Sequence, residues 1–142
     1  MFSGFGLLTK KKQNKIGFED VQTAVQQNKQ CVIINTLPLD LQYCLIQNTL
    51  PSQDEERVIN DLIDRFQFKE KMIVLYGKNA TDPQVEQKYN QMVNLGFTKV
   101  FMYCGGLFEW LLLQDIYGFD EFPTTQKVLD ILKYKPDKTA FV

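Results

Sequence analysis

Two unbroken apolar runs, Cys31-Val32-Ile33-Ile34 and Met72-Ile73-Val74-Leu75-Tyr76, most tightly limit what this chain can fold into. Neither alternates with polar residues, so each reads as a strand buried on both faces. Lys99 to Tyr103 gives a third strand. Helical stripes lie between them: Phe18, Val21, Ala24 and Val25 before the first, Val58, Ile59, Leu62, Ile63 and Phe66 before the second, and Val85, Tyr89, Met92 and Val93 before the third. Strands alternating with helices in this way predict an α/β fold, a mainly parallel central sheet flanked by helices on both faces. With 142 residues the chain is one domain's worth, and it shows no internal repeat or low-complexity stretch.

Boundary residues sharpen the pattern. Ser52 and Glu55 have the spacing of a capping box, and Asp82 followed by Pro83 reads as an N-cap carboxylate ahead of a proline at the first helical position. Gly96 ends that helix. Residues 107 to 117 are predicted helical, and Thr124 or Thr125 caps a last helix through Leu132, ahead of a polar tail containing Pro136. Residues 1 to 17 read as an extension. Phe2, Phe5, Leu7 and Leu8 are aperiodic, Gly4 and Gly6 break any helix, and Lys10, Lys11, Lys12 and Lys15 follow. The expected organisation is thus extension 1–17, domain 18–123, and helix with tail 124–142.

Composition bears mainly on chemistry. The formal charge of -1 supplies no summed field for nucleic acid or an anionic membrane. The absence of histidine removes every Ser-His-Asp or Cys-His pair and every His-containing zinc site. Three cysteines, Cys31, Cys44 and Cys104, are an odd number without CxxC spacing, so neither a disulfide framework nor a four-thiolate metal site is readable. No metal or other cofactor is expected, and a reducing, cytoplasmic setting fits best. No apolar run approaches the roughly 18 residues of a membrane span. The longest, Val100 to Leu113, is broken by Glu109. The order of apolar residues and then lysines at the N-terminus is the reverse of a secretory signal, and Phe2 excludes myristoylation.

The strand 72–76, the helix after it, Leu95-Gly96-Phe97-Thr98-Lys99-Val100 and then Cys104-Gly105-Gly106 with Trp110 four residues on resemble the second half of rhodanese-like domains. Those carry an "IVVYC" strand, an active loop, a helix, "GF-x-x-V" and "GG-x-x-x-W". Phe18-Glu19-Asp20-Val21 is similar to their opening helix, Val32 to Asn35 to their Asp-ending strand, and Ile46 to Pro51 to their "GHIPGAINIP" segment. The resemblance covers roughly residues 16 to 123. It implies a loop opening on a cysteine that accepts a sulfane sulfur or, in phosphatase relatives, attacks phosphate beside an arginine. Here the cysteine position is Gly77, and Gly77-Lys78-Asn79-Ala80-Thr81-Asp82 supplies neither thiolate nor arginine. Asn35, Leu37 and Leu45 stand where the family has Asp, Arg and His. Asp82, as N-cap, would also occupy a loop amide and set a negative charge where an anion belongs, and Pro83 removes another donor. These departures predict a catalytically degenerate loop.

Other chemistry-bearing residues have plainer accounts. Cys104 ends the third strand, and a relocated sulfur carrier there or at Cys44 is the alternative to a retired site, although no histidine is present to activate either thiol. Glu109, Asp115, Asp120 and Glu121 read as a solvated face, and Arg57 and Arg65 as partners of Asp54, Asp61 or Asp64 on their own helix. Lys78 keeps a residual anion site open as a third reading. The segment Leu107-Phe108-Glu109-Trp110-Leu111-Leu112-Leu113, with Ile116 and Tyr117, is apolar around almost its whole circumference. The excess is covered by the last helix of this chain or by another protein. Trp110, Leu112 and Leu113, with Phe2, Phe5, Leu7 and Leu8 of the extension, are the candidate partner contacts. The expected function is a non-catalytic interaction module, a small subunit of a larger intracellular protein complex. Family members without the cysteine imply regulatory and scaffolding roles, including cytoskeletal and ciliary ones. No small-molecule substrate is expected.

Overall fold

The computed structural model describes residues 14–141. Its elements run β1 (Lys15–Ile16), α1 (Phe18–Gln26), β2 (Cys31–Asn35), α2 (Ser52–Asp64), β3 (Met72–Tyr76), α3 (Gln84–Asn94), β4 (Val100–Tyr103) and α4 (Gly106–Tyr117). The strands form one wholly parallel sheet in the order β1-β4-β3-β2. The continuous apolar runs predicted this, because each residue of a covered strand meets a helix on one face or the other. Val74 and Tyr76 of β3 lie in the core layer of α1 and α4. Ile73 and Leu75 of the same strand lie in the layer of α2 and α3. One residue of register would exchange the two sets, which fixes the pairing.

The edges of the elements depart from the sequence reading. Lys15 and Ile16, read as part of the extension, pair with Met102 and Tyr103 as an edge strand. Phe2, Phe5, Leu7 and Leu8 lie outside the described residues. The capping box does not form: Ser52 Oγ donates to Gln42 Oε1 at 2.6 Å, and Glu55 pairs instead with Lys88 of α3 at 2.8 Å. Both residues are drawn to neighbours outside their own turn. Phe66 does not extend the apolar stripe of α2. It stands at the helix end with φ +57°, and this left-handed turn swings its ring out until it is 81% exposed. Arg57 and Arg65 pair with Asp54 and Asp61 on their own helix, at 3.5 and 3.3 Å.

The predicted last helix is absent. Thr124 forms an antiparallel bridge with Ile46, and Thr125 N donates to Leu45 O at 2.8 Å, so these threonines are committed to extended pairing rather than to capping. Beyond them comes only a 3-10 turn at Ile131–Tyr134, whose Tyr134 is fully buried. From this segment Tyr134 enters the core formed with α1 and α4, and Val128 and Ile131 pack against it.

One buried contact joins the middle of the chain to the sheet. The Tyr76 hydroxyl accepts from Ile46 N at 3.1 Å and lies 2.8 Å from Thr49 Oγ1. Thr49 already donates its single proton to Ile46 O, so Tyr76 donates to Thr49. Complete burial pushes the Tyr76 hydroxyl well above its ordinary pKa and keeps it neutral. Tyr76→Phe would leave the Ile46 amide buried without its acceptor. A loss of about 1–3 kcal/mol is expected in urea unfolding, with an unchanged m-value.

Candidate functional site

The site that the sequence singles out lies where β3 ends and α3 begins, at the carboxyl edge of the sheet. In open α/β sheets this edge is where ligands bind. Gly77 continues directly from β3 and is buried. A Cβ there would lie 2.2 Å from Asp82 Oδ2 and 2.7 Å from Val85 Cγ2, so any side chain collides with the carboxylate. Asp82 Oδ2 accepts from Thr36 Oγ1 at 2.9 Å and from Lys78 N at 3.3 Å. Its Oδ1 accepts from Gln84 N at 2.9 Å. Pro83 already has helical dihedrals, so Asp82 is the N-cap and Pro83 the first helical residue, as their order predicted.

The other loop residues are also engaged. Asn79 is buried and holds the loop from both ends of its carboxamide. Oδ1 accepts from Thr81 N at 3.0 Å and from Thr81 Oγ1 at 2.7 Å, while Nδ2 donates to Tyr134 O at 2.9 Å. The loop carbonyls are taken by the next helix: Leu107 N donates to Gly77 O and Phe108 N to Lys78 O, each at 2.9 Å. This docking explains the Gly-Gly pair. Gly106 has φ +70°, and a Cβ there would lie 2.8 Å from Gly77 O and 2.9 Å from Asn79 N. Lys78 is half-buried, and its main chain serves both Asp82 and α4. Ala80 is exposed and has no such role.

The three residues that the resemblance aligns with supporting polar groups are all buried. Leu37 and Leu45 are buried apolar residues, and Asn35 turns its Oδ1 to Leu37 N at 2.9 Å. Thr36 and its bond to Asp82 were not foreseen. Their 46-residue separation leaves no local signal, and a threonine ending a strand looks like any other.

The cysteines are dispersed. Cys44 is fully buried, its Sγ donates to Gln126 O at 3.2 Å, and burial raises its pKa. Burial likewise pushes the Cys31 thiol up, with Lys71 opposing weakly. Cys104 alone reaches a hollow beside the loop, an open space of about 250 Å³ lined also by Lys15, Thr81, Asp82, Pro83 and Glu86.

The candidate partner residues separate in the same way. Trp110 is fully buried within this chain: its Nε1 donates to Pro123 O at 3.1 Å, and its ring stands edge-on to Phe122 at 5.0 Å. Leu113 is half-buried against the core, so Trp110 and Leu113 do not present a free apolar surface. Leu112 does, at 40% exposed, and Ile116 and Tyr117 are more exposed still. In native protein, iodoacetamide is expected to label Cys104 first by mass spectrometry, with Cys31 and Cys44 reacting only after unfolding.

No family model matches the sequence, and no curated protein matches it at a significant level. Solved structures do resemble the fold. The BH2092 protein of Bacillus halodurans superposes with a TM-score of 0.55 at 16% identity, covering 75% of this chain and 74% of that one. The Alr3790 protein of Anabaena gives 0.54 at 20% identity, covering 83% and 97%. The single-domain sulfurtransferase RDL2 of Saccharomyces cerevisiae gives 0.53 at 16% identity, covering 77% and 97%. At such identities the likeness is one of architecture, and with the parallel sheet and the loop at its carboxyl edge it shows that this chain has the rhodanese-like fold.

Proposed function

We propose that this chain is a non-catalytic rhodanese-like module that acts by contact with other proteins, as a small subunit of a larger intracellular assembly. The observation that carries the reading is the occupied loop. A sulfur-transfer site of this fold needs a thiolate at the head of the loop and free amides around it, and here a carboxylate fills that space. Negative charge at that point opposes a bound persulfide or oxyanion by direct repulsion. Burial raises the pKa of both buried thiols, which weighs against Cys44 as a nucleophile.

Support for the contact role comes from α4. Its inward side is filled by Leu107, Trp110 and Leu111, while Leu112, Ile116 and Tyr117 remain outside. Leu132, from the segment that packs on α4, is also exposed. A helix apolar on its outer side as well as its inner gains from a second covering. Among the described residues, no helix is long and apolar enough to cross a membrane. The three free thiols fit a reducing interior.

A thiosulfate-to-cyanide transfer assay with mass spectrometry of the cysteines tests the non-catalytic reading. No turnover and no stable persulfide are expected. Turnover lost on Cys104→Ser would assign the chemistry to that residue instead. Gly77→Cys is expected to remain inactive and to lose about 1–3 kcal/mol of stability through overpacking against Asp82 and Val85. For the contact role, Ile116→Asp should leave the unfolding midpoint within about 0.5 kcal/mol of wild type and abolish co-purification from the native source. Unchanged recovery would remove α4 as the contact face.

A further inference from the structure

Asp82 does more than an N-cap requires. An ordinary cap is satisfied inside its own turn, and Gln84 N to Oδ1 at 2.9 Å already supplies that bond. The second oxygen is held from elsewhere, by the Thr36 hydroxyl at the end of β2 at 2.9 Å and by the Lys78 amide before the turn at 3.3 Å. Donors from the β2 end, the loop and the start of α3 thus converge on one carboxylate, and Gly77, having no side chain, leaves room for Oδ2, which lies 2.2 Å from where a Cβ would stand.

We infer that the Asp82 carboxylate is an internal ligand, filling an oxyanion receptor formed by Thr36, Lys78 and Gln84. The chain in this account does not lack an anion receptor; it keeps one continuously filled. The inference rests on the reading of the loop as closed and says how it is kept closed. Two properties follow from the geometry. Both carboxylate oxygens are needed as acceptors, because Thr36 and Lys78 bring hydrogens to Oδ2 while Gln84 brings one to Oδ1. A small free carboxylate has the right shape to replace the side chain once it is cut back.

Asparagine separates this account from simple capping, since it caps helices about as well as aspartate but would turn an NH2 group toward the Lys78 amide. Thermal unfolding of the full chain is measured for wild type, Asp82→Asn and Asp82→Ala, in sodium chloride and in sodium formate at matched ionic strength. Asp82→Asn is expected to unfold about 5–10 °C below wild type, as loss of charge-assisted bonds from a domain of this size predicts. Asp82→Ala is expected to fall at least as far in chloride and to recover in a saturable manner as formate replaces it, with wild type unmoved. An Asp82→Asn midpoint equal to wild type would overturn the inference, leaving an ordinary helix cap. So would an Asp82→Ala midpoint that formate shifts no more than it shifts wild type. If Asp82→Ala folds only with formate present, the inference is supported, and if it folds in neither salt the Asp82→Asn midpoint decides. These readouts involve no sulfur transfer, so they can fail while the non-catalytic reading stands, and the transfer assay can fail while they succeed.

Discussion

The carboxyl edge of a parallel sheet exposes strand ends, loop amides and helix N-termini together, and all of them need hydrogen-bond partners. How this chain meets that need governs the rest of its structure. The Lys78 amide and the amide that opens α3 go to Asp82, and the Leu107 and Phe108 amides of α4 go to the carbonyls of Gly77 and Lys78. Asn79 carries the same closure outward, since its carboxamide reaches a carbonyl near the end of the chain. Each of these groups thus finds its partner within the chain, which ties the loop to both helices at this edge.

The C-terminal residues are tied into the same arrangement. Trp110 and Gln114 reach from α4 to the carbonyls of Pro123 and Phe122, and the chain then runs back along Leu45 to Gln47 before Tyr134 enters the core. This segment takes an extended path, and Leu112, Ile116 and Tyr117 of α4 stay exposed beside Glu109 and Asp115.

The sheet was legible because its cause is local. The runs at Cys31 and Met72 cannot be half-exposed strands, and the intervening stripes cannot be anything but helices on a core. The self-capping of the loop was legible for a similar reason, since Asp82 and Pro83 adjoin. What escaped was decided at a distance. Glu55 had the right spacing for a capping box, but Lys88 from another helix offered a charge. Thr124 looked like a helix start, but Ile46 offered a strand partner. Phe66 fitted the periodicity of α2 yet sits at the left-handed position that ends it. Tertiary partners outcompeted local rules in the first two cases and chain reversal did so in the third, and none leaves a mark in neighbouring residues.

The pair Gly105-Gly106 has a consequence for how relatives of such a chain are recognised. Gly106 is small because a loop backbone rests on it, and Trp110 is large because it fills the space between the sheet and the returning chain. Both requirements are architectural and would persist whether the neighbouring loop carried a nucleophile or an acid. A signature built on these positions therefore detects the scaffold and is blind to whether the scaffold still works as an enzyme. The informative letter is the one immediately after β3, Gly77 here, together with the acid five places after it.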